Sequence, residues 1–337
     1  MRILFLSNYP AWIKVSKGLM PSHHLFGIHQ MIEKYAVDGT FATIKKEFGG
    51  GQVDFFNVNS PKDIIKIYLK SWRYDVIYDS LNVVSKYFSV LNKYHLLHSN
   101  LISIYHHPPF TKIMKYGRSN VSVFFSDRLL AEAQKDVSDN RIMVANYWYP
   151  DKSWYISNSN YQIVKSRDFM DNGKTGRDHD TFVAALRMAH ASGVMVCNES
   201  QRDQYKANNA DIEFFCQKHP NDLKVLPYIN KCKVMVVPLD STNRLMGPIG
   251  NTSYMDAIAT GMPIICSNNA SFADEIKNNN LGTTYCPRDV NSLYEAMKET
   301  IENYEFYHNN MIEFSNTHTI NDYANNLIPL ILRKTNL

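Results

Sequence analysis

The sequence has 337 residues, of which 45% are hydrophobic and 20% charged, and its net charge is +4 at pH 7. One hydrophobic core usually stops growing below this length, so we expect two domains of roughly 150 residues. The composition excludes a disordered chain, and the lack of an internal repeat excludes a solenoid.

The charge is unevenly distributed. Residues 1–150 carry 18 Lys and Arg against 11 Asp and Glu, whereas residues 151–337 carry 18 against 21. A basic first half suits an anionic membrane surface or another polyanionic partner, and it equally suits an ordinary soluble surface of uneven sign.

The cysteines and the N-terminus limit the compartment. Five cysteines all lie in the second half, their number is odd, and none forms a CxxC pair, so we expect a reducing cytosol and no metal site. The first apolar run meets polar residues after Leu6, too early for a signal peptide or a membrane span, and predicts a strand.

Strand-like and helix-like runs alternate along the first half. The predicted strands are 2–7, 40–44, 74–80, 101–107 and 120–126, with an amphipathic helical stretch near 21–36. Such alternation favours βαβ units around a parallel sheet.

The aromatic and proline-containing stretch 145–155 interrupts this pattern and predicts a connector. Beyond it, the predicted strands are 161–169, 193–198, 233–239 and 262–267, and the predicted helices lie near 178–191, 252–260, 269–278 and 289–304. We therefore predict two doubly wound domains, 1–150 and 151–320, and a C-terminal helix over 321–337 that crosses back to the first domain. Ligands of such folds lie beyond the carboxyl ends of the strands, so the cleft between the domains is the expected site.

Two nucleotide-binding motifs are excluded. Gly173-Lys174-Thr175 has the ending of a P-loop, but Asp168 stands where its first glycine is required and would repel a phosphate. The G-x-G-x-x-G fingerprint of dinucleotide-binding folds does not follow the first strand, which disfavours NAD-dependent chemistry.

The densest group of candidate residues lies in 234–276. A loop reaches Gly250, and Asn251, Thr252 and Ser253 then open a helix that ends at Gly261. The unpaired N–H groups at a helix start bind phosphate oxygens, and Asp256, one turn later, is placed to accept hydrogen bonds from a ribose. The alternative is that these residues only cap a helix and that Asp256 is solvated.

This segment resembles the donor-binding region of GT-B glycosyltransferases, specifically the retaining family 4 (glycosyl transferases group 1). The family pattern E-A-M-A-x-G-x-P-V-I is similar to DAIATGMPII at 256–265, and its K-G-x-D-x-L-x-x-A is similar to RDHDTFVAA at 177–185. The resemblance implies two Rossmann-like domains that face a central cleft, with Asp256 on the ribose of a nucleotide sugar. It also implies that Arg177, with Lys174 as the second cation, neutralises the departing diphosphate; the alternative for both is a solvated charge at a helix entry.

Further positions follow from the same resemblance. Residues 219–239 are similar to the base-recognition stretch, which implies nucleobase contacts around Leu226 and Tyr228. In the first domain, His107, with His106 in reserve, is implied to contact the donor sugar, and Gly18 to lie in a glycine loop near the diphosphate. The alternative for either histidine is a structural role.

One departure from the family is clear. Members often have a second glutamate eight residues before the carboxylate at 256, and this chain has Pro248 there. The sugar pocket is therefore expected to use backbone N–H groups near Pro248-Ile249-Gly250, and retention of stereochemistry is left open.

The resemblance implies a hexosyltransferase-type enzyme that moves a sugar from a nucleoside diphosphate donor, with UDP the expected nucleotide, to a glycan or lipid-linked acceptor in bacterial surface polysaccharide synthesis. It implies no metal, no cofactor besides this co-substrate, and no nucleic acid partner. The expected location is the cytoplasm, and the basic stretch 60–73 leaves open a peripheral contact with the anionic inner leaflet of the plasma membrane. The same stretch is also explained by a surface helix that packs its apolar stripe on the sheet.

Two other functions fit these observations. A nucleotide-sugar epimerase of GT-B architecture would convert the donor without an acceptor. A non-catalytic nucleotide-sugar-binding subunit would bind the donor and show neither transfer nor hydrolysis.

Overall fold

We describe the protein from a computed structural model. It covers residues 1–35, 44–46, 53–105, 116–135, 137, 142–159, 164–207, 211–216, 222–240 and 245–335. The chain divides into two compact units: Met1–Gly18, Ser22–Trp148 and Ile320–Leu337 form the first, and Leu19–Pro21 with Tyr149–Thr319 form the second.

The first unit is built on a seven-stranded parallel sheet of order β2-β3-β1-β4-β5-β6-β7. Its strands are β1 Ile3–Ser7, β2 Ile44–Lys46, β3 Val53–Asn57, β4 Val76–Asp79, β5 Asn100–Ile104, β6 Val121–Phe124 and β7 Ile142–Ala145. Its helices are α1 Ala11–Val15, a 3-10 turn Ser22–Leu25, α2 Ile28–Tyr35, α3 Pro61–Ser71, α4 Ser85–Lys93, α5 Asp127–Gln134 and, at the C-terminus, α14 Ile320–Thr335.

The second unit is built on a six-stranded parallel sheet of order β10-β9-β8-β11-β12-β13. Its strands are β8 Arg167–Asp171, β9 Gly193–Cys197, β10 Ile212–Cys216, β11 Cys232–Val237, β12 Ile264–Ser267 and β13 Gly282–Tyr285. Its helices are α6 Lys152–Asn158, α7 His179–Ala189, α8 Glu199–Lys206, α9 Asp222–Asn230, α10 Asn251–Thr260, α11 Ala273–Asn278, α12 Val290–Glu302 and α13 Tyr304–Thr317.

The central strands of both sheets are buried along almost their whole length. Their sequences are continuous apolar runs, because helices cover both faces of a parallel sheet. In the second unit, Phe182 and Leu186 of α7 and Leu293 of α12 pack on one face of the sheet. Residues of α6, α9 and α10 form a separate cluster that includes Trp154, Leu226 and Ala259.

Most predicted strands overlap the observed strands where both lie in described residues. The predicted strand 161–169 is displaced, since β8 begins at Arg167 and ends at Asp171. Four strands, β3, β7, β10 and β13, were not predicted from the sequence. The stretch 21–36 is two elements, a 3-10 turn and α2, because Gly27 with φ +80° separates them. Gly27 also permits close packing of α14, since a Cβ there would lie 3.1 to 3.2 Å from Tyr323 and Ala324.

The predicted connector 145–155 is not a plain linker. Four of its five aromatic residues are buried. Trp148 Nε1 donates to the His23 carbonyl at 2.9 Å in the first unit, and Tyr149 donates to Glu275 at 2.6 Å in the second. No helix in the described residues is long and apolar enough to cross a membrane.

Gly282 gives a test of the second sheet. Its φ is +149°, and a Cβ there would lie 1.9 Å from the Ile264 carbonyl oxygen on the neighbouring strand. We expect Gly282→Ala to lower the free energy of unfolding by roughly 3 kcal/mol or more. Gly18→Ala is the control, because Gly18 has φ +67° but open space around a Cβ, and it should lower that free energy by only about 1 kcal/mol. Equal losses in urea unfolding would contradict the steric explanation.

Candidate functional site

The candidate site lies where the strand order of the second sheet reverses. From β8 the chain goes to β9 and β10 on one side, and then to β11 on the other. The carboxyl ends of β8 and β11 are therefore neighbours, with Asp171 of β8 paired with Val236 of β11. Ligands of doubly wound sheets bind in the crevice outside such a reversal.

The loop from Asn172 to Asp178 is fastened to the chain that follows β11. The Asp178 N–H donates to the Pro238 carbonyl at 2.8 Å, and the Asp240 N–H donates to the Gly176 carbonyl at 3.2 Å. Arg177 and Leu239 form an antiparallel bridge between these bonds. The loop is thus a fixed extension of the sheet's edge.

Arg177 forms a buried ion pair with Asp171. Its Nε lies 3.2 Å from Asp171 Oδ1, and the side chains are 3% and 0% exposed. Burial lowers the pKa of the Arg177 guanidinium, and the Asp171 carboxylate acts in the opposite direction. The second Asp171 oxygen lies 2.8 Å from His179 Nδ1, so one carboxylate holds two side chains. No pattern in the sequence predicted Asp171, which lies beyond the end of the predicted strand 161–169.

Three polar atoms around this pair are buried and make no hydrogen bond in the described residues: Arg177 Nη1, His179 Nε2 and the Tyr285 hydroxyl. Burial, and then the negative charges of Asp178 and Asp171, raise the pKa of Tyr285 well above its ordinary value. Buried polar groups are usually paired, so this cluster retains unused hydrogen-bonding capacity, which for Arg177 Nη1 and the Tyr285 hydroxyl includes donation.

Helix α10 begins beside Arg177. Gly250 precedes it with φ +94°, and a Cβ there would lie 2.7 Å from Val237 Cγ1, so the position excludes a side chain. The first N–H groups of a helix have no partner within it and carry a partial positive charge. Arg177 Nη2 donates to Ser253 Oγ at 2.9 Å, which places the guanidinium at this helix start.

The three residues predicted at the helix start differ in their surroundings. Asn251 is buried and accepts from Ser271 Oγ at 3.2 Å; Thr252 is exposed; Ser253 is buried and donates to the Asn172 carbonyl at 2.6 Å. Because Gly250 is the residue before the helix, none of the three acts as its N-terminal cap. Backbone N–H groups of residues 248–250 were predicted to form the sugar pocket. Pro248 has no N–H, and the Ile249 N–H donates to the Met246 carbonyl at 3.4 Å, so the prediction is reduced to the N–H of Gly250.

Asp256 lies half-buried one turn into α10. Tyr155 donates to its Oδ1 at 2.6 Å, and the side-chain amide of Asn172 donates to its Oδ2. The carboxylate is therefore oriented by two neutral donors toward the same loop that carries Arg177. Lys174 lies in that loop and is partly exposed.

Leu226 and Tyr228 lie inside α9. The Leu226 side chain is buried with Trp154 and Ala259, and the Tyr228 ring contacts Phe215 at a centroid distance of 4.5 Å. Within a helix most backbone groups bond to one another. The predicted nucleobase contacts through the backbone at these two residues therefore stay a prediction, and the loop residues 217–221 lie outside the described residues.

In the first unit, Gly18 lies in an exposed turn after α1 with φ +67°. His106 and His107 lie outside the described residues, so their predicted role stays a prediction. The sequence analysis did not single out Tyr9 and His24, which follow β1 and are joined by a hydrogen bond of 3.2 Å between the hydroxyl and Nδ1. Their separation of 15 residues gave no local signal.

Two doubly wound parallel sheets in series define the GT-B fold, and the predicted fold class is confirmed. Residues 197–316 match the model of the family described as glycosyl transferases group 1. The match includes the 256–265 pattern and begins after Arg177. It confirms the resemblance predicted from the sequence, and the chain is a glycosyltransferase of GT-B type.

Solved structures are similar over almost the whole chain. Anabaena Alr3699/HepE in complex with UDP is 11% identical, with a TM-score of 0.67 over 98% of this chain and 99% of that one. A glycosyltransferase from Rickettsia africae is 15% identical, with a TM-score of 0.66 over 99% and 98%. AviGT4, a glycosyltransferase involved in avilamycin A biosynthesis, is 12% identical, with a TM-score of 0.64 over 100% and 98%. At these identities the likeness concerns the fold. No curated protein matches the sequence.

Removing the Asp171 carboxylate tests the buried pair. Asp171→Ala leaves Arg177 charged and buried without its partner, so we expect the free energy of unfolding to fall by about 3 to 5 kcal/mol in urea. Asp211→Ala is the matched control in the same unit, because the Arg167–Asp211 pair is exposed at its acidic end and contributes about 0 to 1 kcal/mol. Similar losses in the two variants would contradict the structural importance of Asp171.

Proposed function

We propose that this glycosyltransferase moves a sugar from a UDP-sugar to a glycan or lipid-linked acceptor in the synthesis of a bacterial surface polysaccharide. The observation that carries the proposal is the hydrogen bond between Arg177 and Ser253 at the start of α10. It joins the buried cation of the β8 loop to the positive end of a helix at the strand reversal. Two independent sources of positive potential therefore meet at one place, as binding of a diphosphate requires.

The nucleotide is proposed from the comparison. Anabaena Alr3699/HepE, which has the same fold, is described in complexes with UDP and with UDP-glucose. In this chain, Asp256 is held by Tyr155 and Asn172 with its carboxylate beside the proposed diphosphate position. We propose that it accepts the hydrogen bonds of the ribose hydroxyls.

The leaving group is stabilised by fixed charge. Arg177 keeps its contacts with Asp171 and Ser253 and acts on the diphosphate through its charge and its Nη1 group, while Lys174 contacts the phosphate oxygens from the loop. Lys174, Arg177 and the helix start supply the positive charge, so the proposed reaction is independent of metal and of cofactors other than the donor. The leaving phosphate accepts the proton of the acceptor hydroxyl, and the configuration of the sugar is retained.

The proposed setting is the cytoplasm, at the inner face of the plasma membrane, where a lipid-linked acceptor is available. His107 contacts the donor sugar in this proposal, and Gly18 lies near the diphosphate. A second function, epimerisation of the nucleotide sugar, would use the same donor site and differ in needing no acceptor.

Nucleotide binding tests the donor site. We expect UDP to raise the free energy of unfolding by about 2.7 kcal/mol when its concentration is 100-fold above its dissociation constant. GDP and ADP at the same concentration should raise it less. Arg177→Lys, which keeps the charge and loses the fork, and Asp256→Asn, which keeps the shape and loses the charge, should both abolish most of this ligand-dependent shift. Calorimetric titration and thermal unfolding measure it.

Asp211→Ala is the control for these variants, since it removes a carboxylate from the same unit away from the loop, and it should bind UDP as the wild type does. Comparing each variant with and without nucleotide separates weaker binding from weaker folding. If UDP binds both site variants as tightly as the control, the site is elsewhere.

The chemistry is tested with the nucleotide that binds. We expect slow hydrolysis of the UDP-sugar without acceptor and transfer when a saccharide acceptor is added, with an anomeric configuration, read by NMR, that matches the donor. Conversion of the UDP-sugar into its epimer without acceptor would establish the epimerase instead. Binding with neither reaction would indicate a non-catalytic subunit.

A further inference from the structure

Helix α3 carries an apolar stripe that faces solvent. Ile65, Leu69 and Trp72 are 62%, 64% and 64% exposed, and Tyr68, beside them, is also exposed. Their spacing of three and four residues places them on one side of a helix. Single exposed apolar residues are common, whereas a contiguous group of four large apolar side chains indicates an interaction surface.

The stripe is not the side of α3 that packs on the sheet. Ile67 is fully buried in the core with Leu4, Leu6 and Ile77, and Ile64 packs against the same cluster. The helix therefore has two apolar sides, of which the sheet covers one. The packing explanation for residues 60–73 therefore accounts for Ile64 and Ile67, and the exposed stripe is left without a partner among the described residues.

The position of α3 is well determined by its own sequence. Ser60 precedes the helix in an extended conformation, Pro61 occupies the first helical position, and the Ser60 N–H donates to Asp63 Oδ2 at 2.9 Å. This is a capping box, which fixes the helix start. The exposed stripe is consequently a feature of a well-formed helix.

A neighbouring loop extends the stripe. Tyr68 donates through its hydroxyl to the Leu96 carbonyl at 3.3 Å, and the Leu96 side chain is itself more than half exposed. We call Ile65, Tyr68, Leu69, Trp72 and Leu96 the α3 patch.

Cations border the α3 patch along one side. At about 100° per residue, Lys62 and Lys66 follow the stripe at roughly 60 to 100° from Ile65. Arg73 lies just beyond the end of the helix, and all three cations are exposed. The Arg73 guanidinium lies 5.2 Å from the centre of the Trp72 ring. An apolar stripe with Trp and Leu, flanked by Lys and Arg, is the composition of a helix that lies in a membrane interface.

We propose that the α3 patch docks the first unit on a bilayer surface that contains anionic lipid. Ile65, Leu69 and Trp72 enter the boundary between headgroups and acyl chains, while Lys62, Lys66 and Arg73 contact the lipid phosphates. The charge favours this occupant, because cations that border an apolar stripe with Trp and Leu complement the phosphates of anionic headgroups. The inference rests on the proposed function only for its purpose, which is to bring the enzyme to a lipid-linked acceptor.

Tryptophan fluorescence tests the docking directly. The protein has four tryptophans, and Trp72 is the exposed one, whereas Trp12, Trp148 and Trp154 are buried. With phosphatidylcholine vesicles that contain phosphatidylglycerol, we expect a blue shift of the emission and protection from acrylamide quenching. Vesicles of phosphatidylcholine alone should give a much smaller change, and Trp72→Phe should remove the signal while flotation still shows vesicle binding.

Matched variants separate the two contributions. Lys62→Glu with Lys66→Glu should weaken vesicle binding by roughly 30-fold or more, since each lysine near an anionic surface contributes about fivefold. Lys135→Glu makes the same kind of change at the exposed lysine that directly follows α5 and should have little effect. Ile65→Ser with Leu69→Ser should also abolish binding, whereas Met188→Ser with Ile301→Ser, exposed positions of the second unit, should not.

No donor or acceptor is present in these measurements, so a failure to bind lipid overturns the docking surface and leaves the donor site unaffected. Binding that is equal for neutral and anionic vesicles, or unchanged in the lysine variant, would also overturn it. Self-association that depends on Leu69 and Trp72 in sedimentation, without vesicle binding, would identify the α3 patch as an interface between copies of the chain and overturn the proposal.

Discussion

The buried Asp171–Arg177 pair is the interaction on which the candidate site depends. It connects the end of β8 to the loop that follows, and through Ser253 to the start of α10. The same carboxylate holds His179 at the start of α7. Strand β8, its loop and α7 follow one another in the chain and share this carboxylate, and Arg177 joins them to the distant α10. An uncompensated charge in this place would be costly because the surroundings exclude water.

This arrangement suits the stabilisation of a leaving group. An exposed arginine loses side-chain entropy when it binds a phosphate, whereas Arg177 is already fixed by two partners. Charge that is held in place before the reaction needs no rearrangement as negative charge develops. Gly250 contributes to the same end, since its backbone approaches Val237 more closely than any side chain would permit. The loop that carries Arg177 is bonded to the chain that follows β11, so the position of the guanidinium is fixed by the edge of the sheet.

The sequence predicted the fold well and the contacts of the site less well. Fully buried strands such as β1 and amphipathic helices such as α7 and α12 carry a clear pattern, because buried strands and half-buried helices differ in periodicity. The edge strand β10 has the same length as β1 and lacks this pattern, since its side chains are only partly covered. Asp171 could not be recognised, because its polar partners Arg177 and His179 lie six and eight residues away across a loop. The conformation of that loop depends on its bonds to the chain that follows β11, which no local pattern shows. Local motifs did predict the segments around Arg177 and Asp256, which depend on helix starts and glycines.

Helix α3 shows a different limit of periodicity. Its apolar residues fall on two sides, one with Ile64 and Ile67 and the other with Ile65, Leu69 and Trp72, so the pattern alone does not tell which side the sheet covers. The structure assigns the first side to the core, because Ile67 meets β1 and β4 there. The second side then has an apolar surface that nothing in the unit's described residues covers, next to cations that the core would not accept. A helix with this division is stabilised on one side by its own fold and is available on the other for an apolar, anionic surface. The excess of positive charge in the first half of the chain indicated only that an anionic partner was possible. Three of these cations, Lys62, Lys66 and Arg73, lie beside an exposed apolar stripe, which gives such a partner a specific place to bind.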